Sequence, residues 1–265
     1  MTEKEQMLMS IRGCRRDGLY VYPRELTPNE QARLEAMEHR RQRNEPLQYI
    51  LGDCDFMGYC LQVDARVLVP RPETELLGHA VLERRRAVKG DSIEVLDLGT
   101  GSGNLSIVLA QELPGARVTA VDISAPALAL AKENARGHGV EDRITFLCDD
   151  MGHVLRTFFA EERIFDIIVS NPPYIPSSWI RRLPLDVQRE PLVALDGGED
   201  GLKFLRAVIK QAPGILAEAG LLALEIGDGQ ESAVEDLLRK QPLLASVEFL
   251  KDYRETPRIA TAVKR

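Results

Sequence analysis

Residues Val95-Leu96-Asp97-Leu98-Gly99-Thr100-Gly101-Ser102-Gly103 run from an apolar segment into alternating glycines, and Asn104-Leu105-Ser106-Ile107-Val108-Leu109-Ala110 then reads as a helix. A buried strand that turns on glycine into a helix is one βα unit, and such units assemble into a parallel sheet covered on both faces. From Ile93 onward apolar strands alternate with helical stretches, one of which brings Leu128, Ala131 and Ala135 onto one face. The pattern predicts an α/β fold with a parallel, doubly wound sheet. With 265 residues and 44% apolar side chains, the chain is long enough for one good core and a smaller appendage.

Alternate glycines let a backbone come close to a ligand, and the helix beyond offers unpaired amides to a carboxylate or phosphate. Two common ligand loops are excluded by spacing. Asn104 stands where a dinucleotide fingerprint has its third glycine, and no lysine follows as in a phosphate-cradling loop. The next strand, Arg117-Val118-Thr119-Ala120-Val121, delivers Asp122 to its end, about 20 residues after the glycines, where a carboxylate accepts ribose hydroxyls and repels a 2′-phosphate. Ile144-Thr145-Phe146-Leu147 leads into Cys148-Asp149-Asp150-Met151, which offers an adenine contact from Asp150 and an apolar wall from Met151. Each acid is also a plausible helix cap, and Asp122 precedes Ser124-Ala125-Pro126. Successive strand ends bearing a glycine loop, an acid and another acid favour a nucleoside site.

A further strand, Phe165-Asp166-Ile167-Ile168-Val169-Ser170, ends in Asn171-Pro172-Pro173-Tyr174. Proline cannot continue a ladder, so these groups stand beyond the strand's carboxyl end, where open α/β sheets bind ligands. An amide, two rigid rings and an aromatic suit a planar, weakly nucleophilic nitrogen. A stiff turn capping a buried strand is the plainer alternative for this tetrapeptide taken alone.

Taken together, these motifs resemble the class I S-adenosylmethionine-dependent methyltransferases, and further segments narrow the likeness to the HemK/PrmC family. Those segments are Pro46-Leu47-Gln48-Tyr49-Ile50-Leu51-Gly52, Pro70-Arg71-Pro72-Glu73-Thr74-Glu75, the stretch from Glu190 to Leu202, Leu224-Glu225-Ile226-Gly227 with Gln230, and Pro257-Arg258-Ile259-Ala260. The likeness runs from about Tyr22 to the last residues. It implies a seven-stranded sheet whose last strand is antiparallel, and a peptide chain release factor N5-glutamine methyltransferase. The substrate implied is the Gly-Gly-Gln loop of class I peptide chain release factors. S-adenosyl-L-methionine is the implied donor, S-adenosyl-L-homocysteine the product, and no metal is required. Asn171, Pro172 and Tyr174 then become the catalytic residues, with Pro173 completing the substrate wall. Gly99, Thr100, Gly101, Ser102, Gly103, Asp122, Asp150, Met151 and Asn171 become the cofactor contacts. Arg71 and Thr74 either meet the methionine moiety or belong to a rigid Pro-flanked connection. Glu190 and Asp200 either shape the substrate channel or, for Asp200-Gly201, form a turn. Trp179 is a loop anchor or a substrate contact, and Glu225 receives no catalytic role. The family more often has glycine where Glu255 stands.

The expected organisation is a small helical domain over residues 1–52 that docks the substrate, a β-hairpin linker over 53–69 and a catalytic domain over 70–265. Thr27-Pro28-Asn29-Glu30 is a capping box that opens a helix with Leu34 and Met37 inward. Asp53 to Val63 alternates around Gly58 as a hairpin does. Within the family this helical domain is short, because Gln48-Tyr49-Ile50-Leu51-Gly52 arrives early.

A formal charge of −7 argues against a duplex-gripping enzyme, which needs excess Lys and Arg. The basic stretches at His39–Arg43 and Glu83–Arg86 are interleaved with acids and read as solvated faces. An enzyme methylating the exocyclic amine of adenine is the rival reading, and a catalytically dead scaffold a second. No apolar run is long enough to span a bilayer, so no membrane association, a cytoplasmic location and a monomer are expected. Cys14, Cys54, Cys60 and Cys148 lack metal spacing and stay reduced, with Cys54 and Cys60 as small packing residues. His39, His79, His138 and His153 read as surface or packing residues.

Overall fold

Strand alternation sets the architecture. The structure, a computed structural model, describes residues 1–21, 25–86 and 92–265; Tyr22, where the family likeness begins, and the side chains of Arg85 and Arg86 lie outside the described residues. The catalytic part contains β3 (Ile93–Leu98), β4 (Ala116–Asp122), β5 (Ile144–Cys148), β6 (Phe165–Ser170), β7 (Leu216–Glu225), β8 (Leu244–Lys251) and β9 (Pro257–Lys264), ordered 5-4-3-6-7-9-8 in one seven-stranded sheet. Neighbours among β3 to β7 pair in parallel, and β9 alone runs antiparallel, to β7 and β8. The expected doubly wound sheet with an antiparallel last strand is therefore present.

Because both faces are buried, side chains along each central strand divide between two cores. Val95, Ile167, Val169, Leu221 and Ala223 enter one core, while Leu96, Leu98, Ile168, Leu222 and Leu224 enter the other. The first core is covered by α5 (Pro72–Arg86) and α6 (Asn104–Glu112); the second by α8 (Met151–Ala160), α9 (Lys203–Gln211) and α10 (Glu231–Arg239). α7 (Ala125–Gly137) begins at Ser124, whose side chain accepts from the Ala127 amide, with proline in its first turn. It buries Leu128, Ala131 and Ala135.

The chain passes from β3 outward through β4 to β5 and then returns to β6 on the other side of β3. The strand order reverses between β3 and β6, so their carboxyl ends flank a crevice. The glycine loop leaves β3 and Asn171 leaves β6, at the two sides of that crevice.

The amino-terminal helices are α1 (Glu3–Arg12), α2 (Gly18–Val21), α3 (Pro28–Gln42) and α4 (Leu47–Leu51). α1 has a capping box between Thr2 and Glu5, a start signal missed at the sequence level; α3 has the expected one between Thr27 and Glu30. Their core is small: Met7, Ile11, Leu34 and Leu47, with Met37 half-buried against it. β1 (Asp53–Phe56) and β2 (Tyr59–Gln62) form the expected hairpin, turning at Met57 and Gly58 with φ of 52° and 85°. Asn134 on α7 holds that hairpin, accepting from the Gln62 amide (2.8 Å) and donating to the Gln62 carbonyl (3.0 Å). Its amide also donates to the Ser102 carbonyl (2.9 Å), which ties hairpin and glycine loop together. Cys54 is half-buried against a small apolar cluster, but Cys60 is exposed. Cys54 pairs with Leu61 and Cys60 with Asp55, so the two thiols fall on opposite faces of the hairpin and only Cys54 packs.

Candidate active site

Two cavities meet at the switch point. The first, of about 450 Å³, is lined by Gly99, Thr100, Gly101, Ser102, Asp122, Asp150, Met151 and Asn171 among others. Its floor depends on a left-handed backbone at Gly99 (φ 80°), where a side chain would be strained. Asp97, 1% exposed, braces the loop from below: its Oδ2 accepts from the Thr100 and Ser106 hydroxyls, each at 2.7 Å. Burial pushes the Asp97 carboxyl up to about 6. The Asp122 carboxylate accepts from the Gly101 amide (2.9 Å) and the Ser124 amide (2.8 Å), so it is oriented before any ligand arrives. Burial raises its pKa, while those two amides oppose the shift. Asp150 is the N-cap of α8, accepting from the His153 amide at 3.0 Å, and also lines the cavity.

The donor set fits an adenosyl sulfonium. An oriented carboxylate with lone pairs to spare suits a ribose diol, Met151 supplies an apolar wall, and the glycine backbone admits a close approach. Gly103 does not reach this cavity. A Cβ there would stand 3.2 Å from both Ala131 and Ile107, so the absence of a side chain at the third glycine lets the helices pack closely.

The second cavity, of about 520 Å³, is lined by Glu73, Pro172, Tyr174, Ile175, Val187 and Arg258 among others. Leu68, Arg71, Asn171 and Ala194 line both cavities. Asn171 thus stands at the passage between them, with Pro173 on the first side and Pro172 and Tyr174 on the second. The Asn171 Nδ2 donates to Thr74 Oγ1 at 2.9 Å, which leaves Oδ1 as the free end of the amide.

Thr74 is buried, and its hydroxyl donates to Glu225 Oε2 at 2.7 Å. The Tyr174 hydroxyl donates to Glu225 Oε1 at 3.1 Å. Glu225, 0% exposed, therefore joins both sequence-derived groups from the far side of β7. Burial pushes its carboxyl up to about 7, and burial also raises the Tyr174 phenol. Sequence reasoning passed over Glu225. The missed signal was its phase: it continues the series Leu221, Ala223 toward the α5 side of a strand buried on both faces, where a lone carboxylate needs donors.

Arg71 pairs with the buried Glu190, whose other oxygen accepts from the Val69 amide at 2.9 Å. The Pro-flanked connection is thereby pinned while Arg71 still lines both cavities. Desolvation raises the Glu190 carboxyl, and the neighbouring Arg71 opposes the shift. Asp200 accepts from the Leu202 amide and pairs with Arg206 on an exposed turn, away from both cavities. Trp179 is 58% exposed in the turn Ser177–Arg182 and so anchors no loop. His39, His79 and His153 are exposed and His138 half-buried; among the described residues no group of three or more His, Cys, Asp and Glu gathers as for a metal ion.

Known proteins resemble this chain along most of its length. Residues 89–248 match a methyltransferase domain and residues 2–52 match a PrmC N-terminal domain. A release factor glutamine methyltransferase of Moorella thermoacetica is 43% identical over 241 residues, covering 91% of this chain and 83% of that protein. Its counterpart in Chlorobaculum tepidum is 40% identical over 261 residues, covering 96% of this chain and 87% of that protein. A SAM-dependent methyltransferase of Agrobacterium tumefaciens shares the fold, with a TM-score of 0.56 at 19% identity over 80% of this chain and 69% of that one. By sequence identity and coverage alike, the chain belongs to the release factor glutamine methyltransferase family.

Proposed function

We propose that this protein transfers the methyl group of S-adenosyl-L-methionine to the side-chain amide nitrogen of the glutamine in the Gly-Gly-Gln loop of class I peptide chain release factors. The observation that carries this reading is Asn171, set between two cavities with its Nδ2 held by Thr74 and its Oδ1 free. A carboxamide nitrogen gives its lone pair to its own carbonyl and attacks poorly. When bound, the cofactor supplies an activated methyl and departs as a neutral thioether, so no strong protein base is needed.

The work left to the chain is orientation. The Asn171 oxygen and the Pro172 carbonyl accept the two hydrogens of the substrate NH₂ and aim the nitrogen toward the first cavity. They also stabilise the positive charge that grows on nitrogen as its bond to carbon forms, an effect of about 3–4 kcal/mol per preset group in comparable sites. Alignment itself contributes up to roughly 7–11 kcal/mol. Pro172 and Tyr174 pack the flat amide and exclude water. The surplus proton leaves afterwards to solvent.

Asp122 holds the ribose, Met151 and Asp150 the adenine side, and the loop Gly99–Ser102 the remainder of the donor. The helical domain docks the release factor, and the enzyme works as a cytoplasmic monomer without a metal ion. A net charge of −7 supports a protein substrate over a nucleic acid. The test offers radiolabelled S-adenosyl-L-methionine with release factor, DNA and RNA side by side. Label in release factor, lost when the Gly-Gly-Gln glutamine is replaced, is the expected result; label in nucleic acid alone, or nowhere, overturns it.

A further inference from the structure

A carboxamide at the passage has two ends, and they select opposite substrates. With oxygen turned to the acceptor cavity, Asn171 accepts from an incoming –NH₂; with its own –NH₂ turned there, it would oppose an amide's hydrogens and welcome a carboxylate. Nothing in Asn171 itself decides between the two. The decision is made behind it. An ionised Glu225 only accepts, so the Thr74 hydroxyl must donate to it, and the lone pair left on Thr74 Oγ1 can only receive Asn171 Nδ2. The Tyr174 hydroxyl takes the other carboxylate oxygen, so Glu225 is committed at both ends. Glu225 lines neither cavity and is fully buried, and Thr74 is 1% exposed, so the chain of bonds is shielded from exchange with solvent.

We propose that Glu225 is the positioning residue that sets the polarity of Asn171, through Thr74, and so makes the acceptor cavity prefer a carboxamide over a carboxylate side chain. The inference rests on the reading of the function above and adds to it the origin of the glutamine selectivity. It also carries a pH dependence. A protonated Glu225 becomes a donor, allowing Thr74 to turn its own hydrogen toward Asn171 and reverse the amide. The charged and titratable groups that face Glu225 are Glu73 on α5, Tyr174 after β6 and Arg258 on β9; Glu73 favours the neutral form and Arg258 the ionised one. The productive arrangement is therefore the deprotonated one, and turnover falls as pH drops through about 7.

Glu225→Gln tests this with little change of shape. Glutamine keeps both contacts: the Tyr174 hydroxyl, which has no other acceptor among the described residues, holds Oε1, so Nε2 donates to Thr74, which then donates to Asn171 and turns it round. The enzyme saturated with S-adenosyl-L-homocysteine is titrated by calorimetry with release factor carrying Gln or Glu in the Gly-Gly-Gln loop. The wild type favours Gln, and Glu225→Gln lowers the Gln-to-Glu affinity ratio by about 10²-fold. Affinity for S-adenosyl-L-homocysteine stays within about twofold, well under the tenfold that 1.4 kcal/mol represents. The melting temperature at pH 8 stays level or rises, because a buried charge has been removed. Thr74→Ser keeps the wild-type ratio and Thr74→Val loses it. A second measurement needs no substrate: the Asn171 side-chain –NH₂ protons, protected from exchange by Thr74 in the wild type, lose protection in Glu225→Gln. An unchanged ratio with unchanged protection, or a loss that follows the melting temperature, overturns the proposal. If the wild type binds neither release factor, the functional reading fails on its own, and the exchange measurement alone then decides whether Glu225 orients Asn171.

Discussion

On the donor side of Asn171 the groups proposed to hold the cofactor sit at the ends of β3, β4 and β5; on the acceptor side they are side chains brought from distant parts of the sequence. Gly99 to Ser102, Asp122 and Asp150 lie on two consecutive βαβ units, and each is held by a local bond, such as Asp122 to Ser124 or Asp150 to His153. Arg71, Tyr174 and Arg258 come from three separate segments, and the bonds that orient their neighbours span far more chain: Thr74 to Glu225 is separated by 151 residues and Val69 to Glu190 by 121. Local sites of the first kind are formed by any chain that makes the strand and its turn. Sites of the second kind exist only once the whole sheet has closed, and their accuracy depends on buried carboxylates.

The contrast can be broken most sharply at the shared residue. Asn171→Ala is expected to lower kcat by about 10²–10³-fold, while calorimetry shows cofactor affinity almost unchanged; a variant that keeps most of its rate would remove this amide from the acceptor site. Glu190→Ala leaves the Val69 amide and Arg71 without their acceptor. A loss of about 2–3 kcal/mol in denaturant unfolding, with a raised KM for release factor, is expected, and a change confined to the cofactor Kd would contradict its assignment to the acceptor side. Asp122→Ala should do the reverse, weakening cofactor by about 1–3 kcal/mol without altering release factor affinity, which calorimetry can read directly. The smallest effect belongs to a position far from both cavities. Glu255 holds φ of 61° in the turn closed by Asp252, so Glu255→Gly should stabilise by about 0.5–1 kcal/mol with turnover unchanged.

How much of this was legible in the sequence follows the same division. The strand-to-glycine turn, the acids after β4 and β5 and the prolines after β6 each depend on neighbours within a few residues, and spacing alone placed them at one edge of the sheet. The closeness of Gly103 to Ala131 is a matter of helix packing that glycine spacing does not report. Cys60 was misassigned because one position of register moves a side chain to the other face of a hairpin. Glu225 was passed over because its partners are supplied by α5 and by the turn after β6, and no local pattern announces them. Its phase with Leu221 and Ala223 was nevertheless there to be read.

The helical domain and the rim of the acceptor cavity share a tether. Arg41 on α3 grips Glu3 within its own domain and Asp186 at the rim (3.2 Å), and Arg189 reaches back to the Arg43 carbonyl (3.0 Å). A protein that pulls on these helices pulls on the doorway as well. On the proposed docking of the release factor to these helices, the grip on the large partner and the opening for its smallest part share the same bonds.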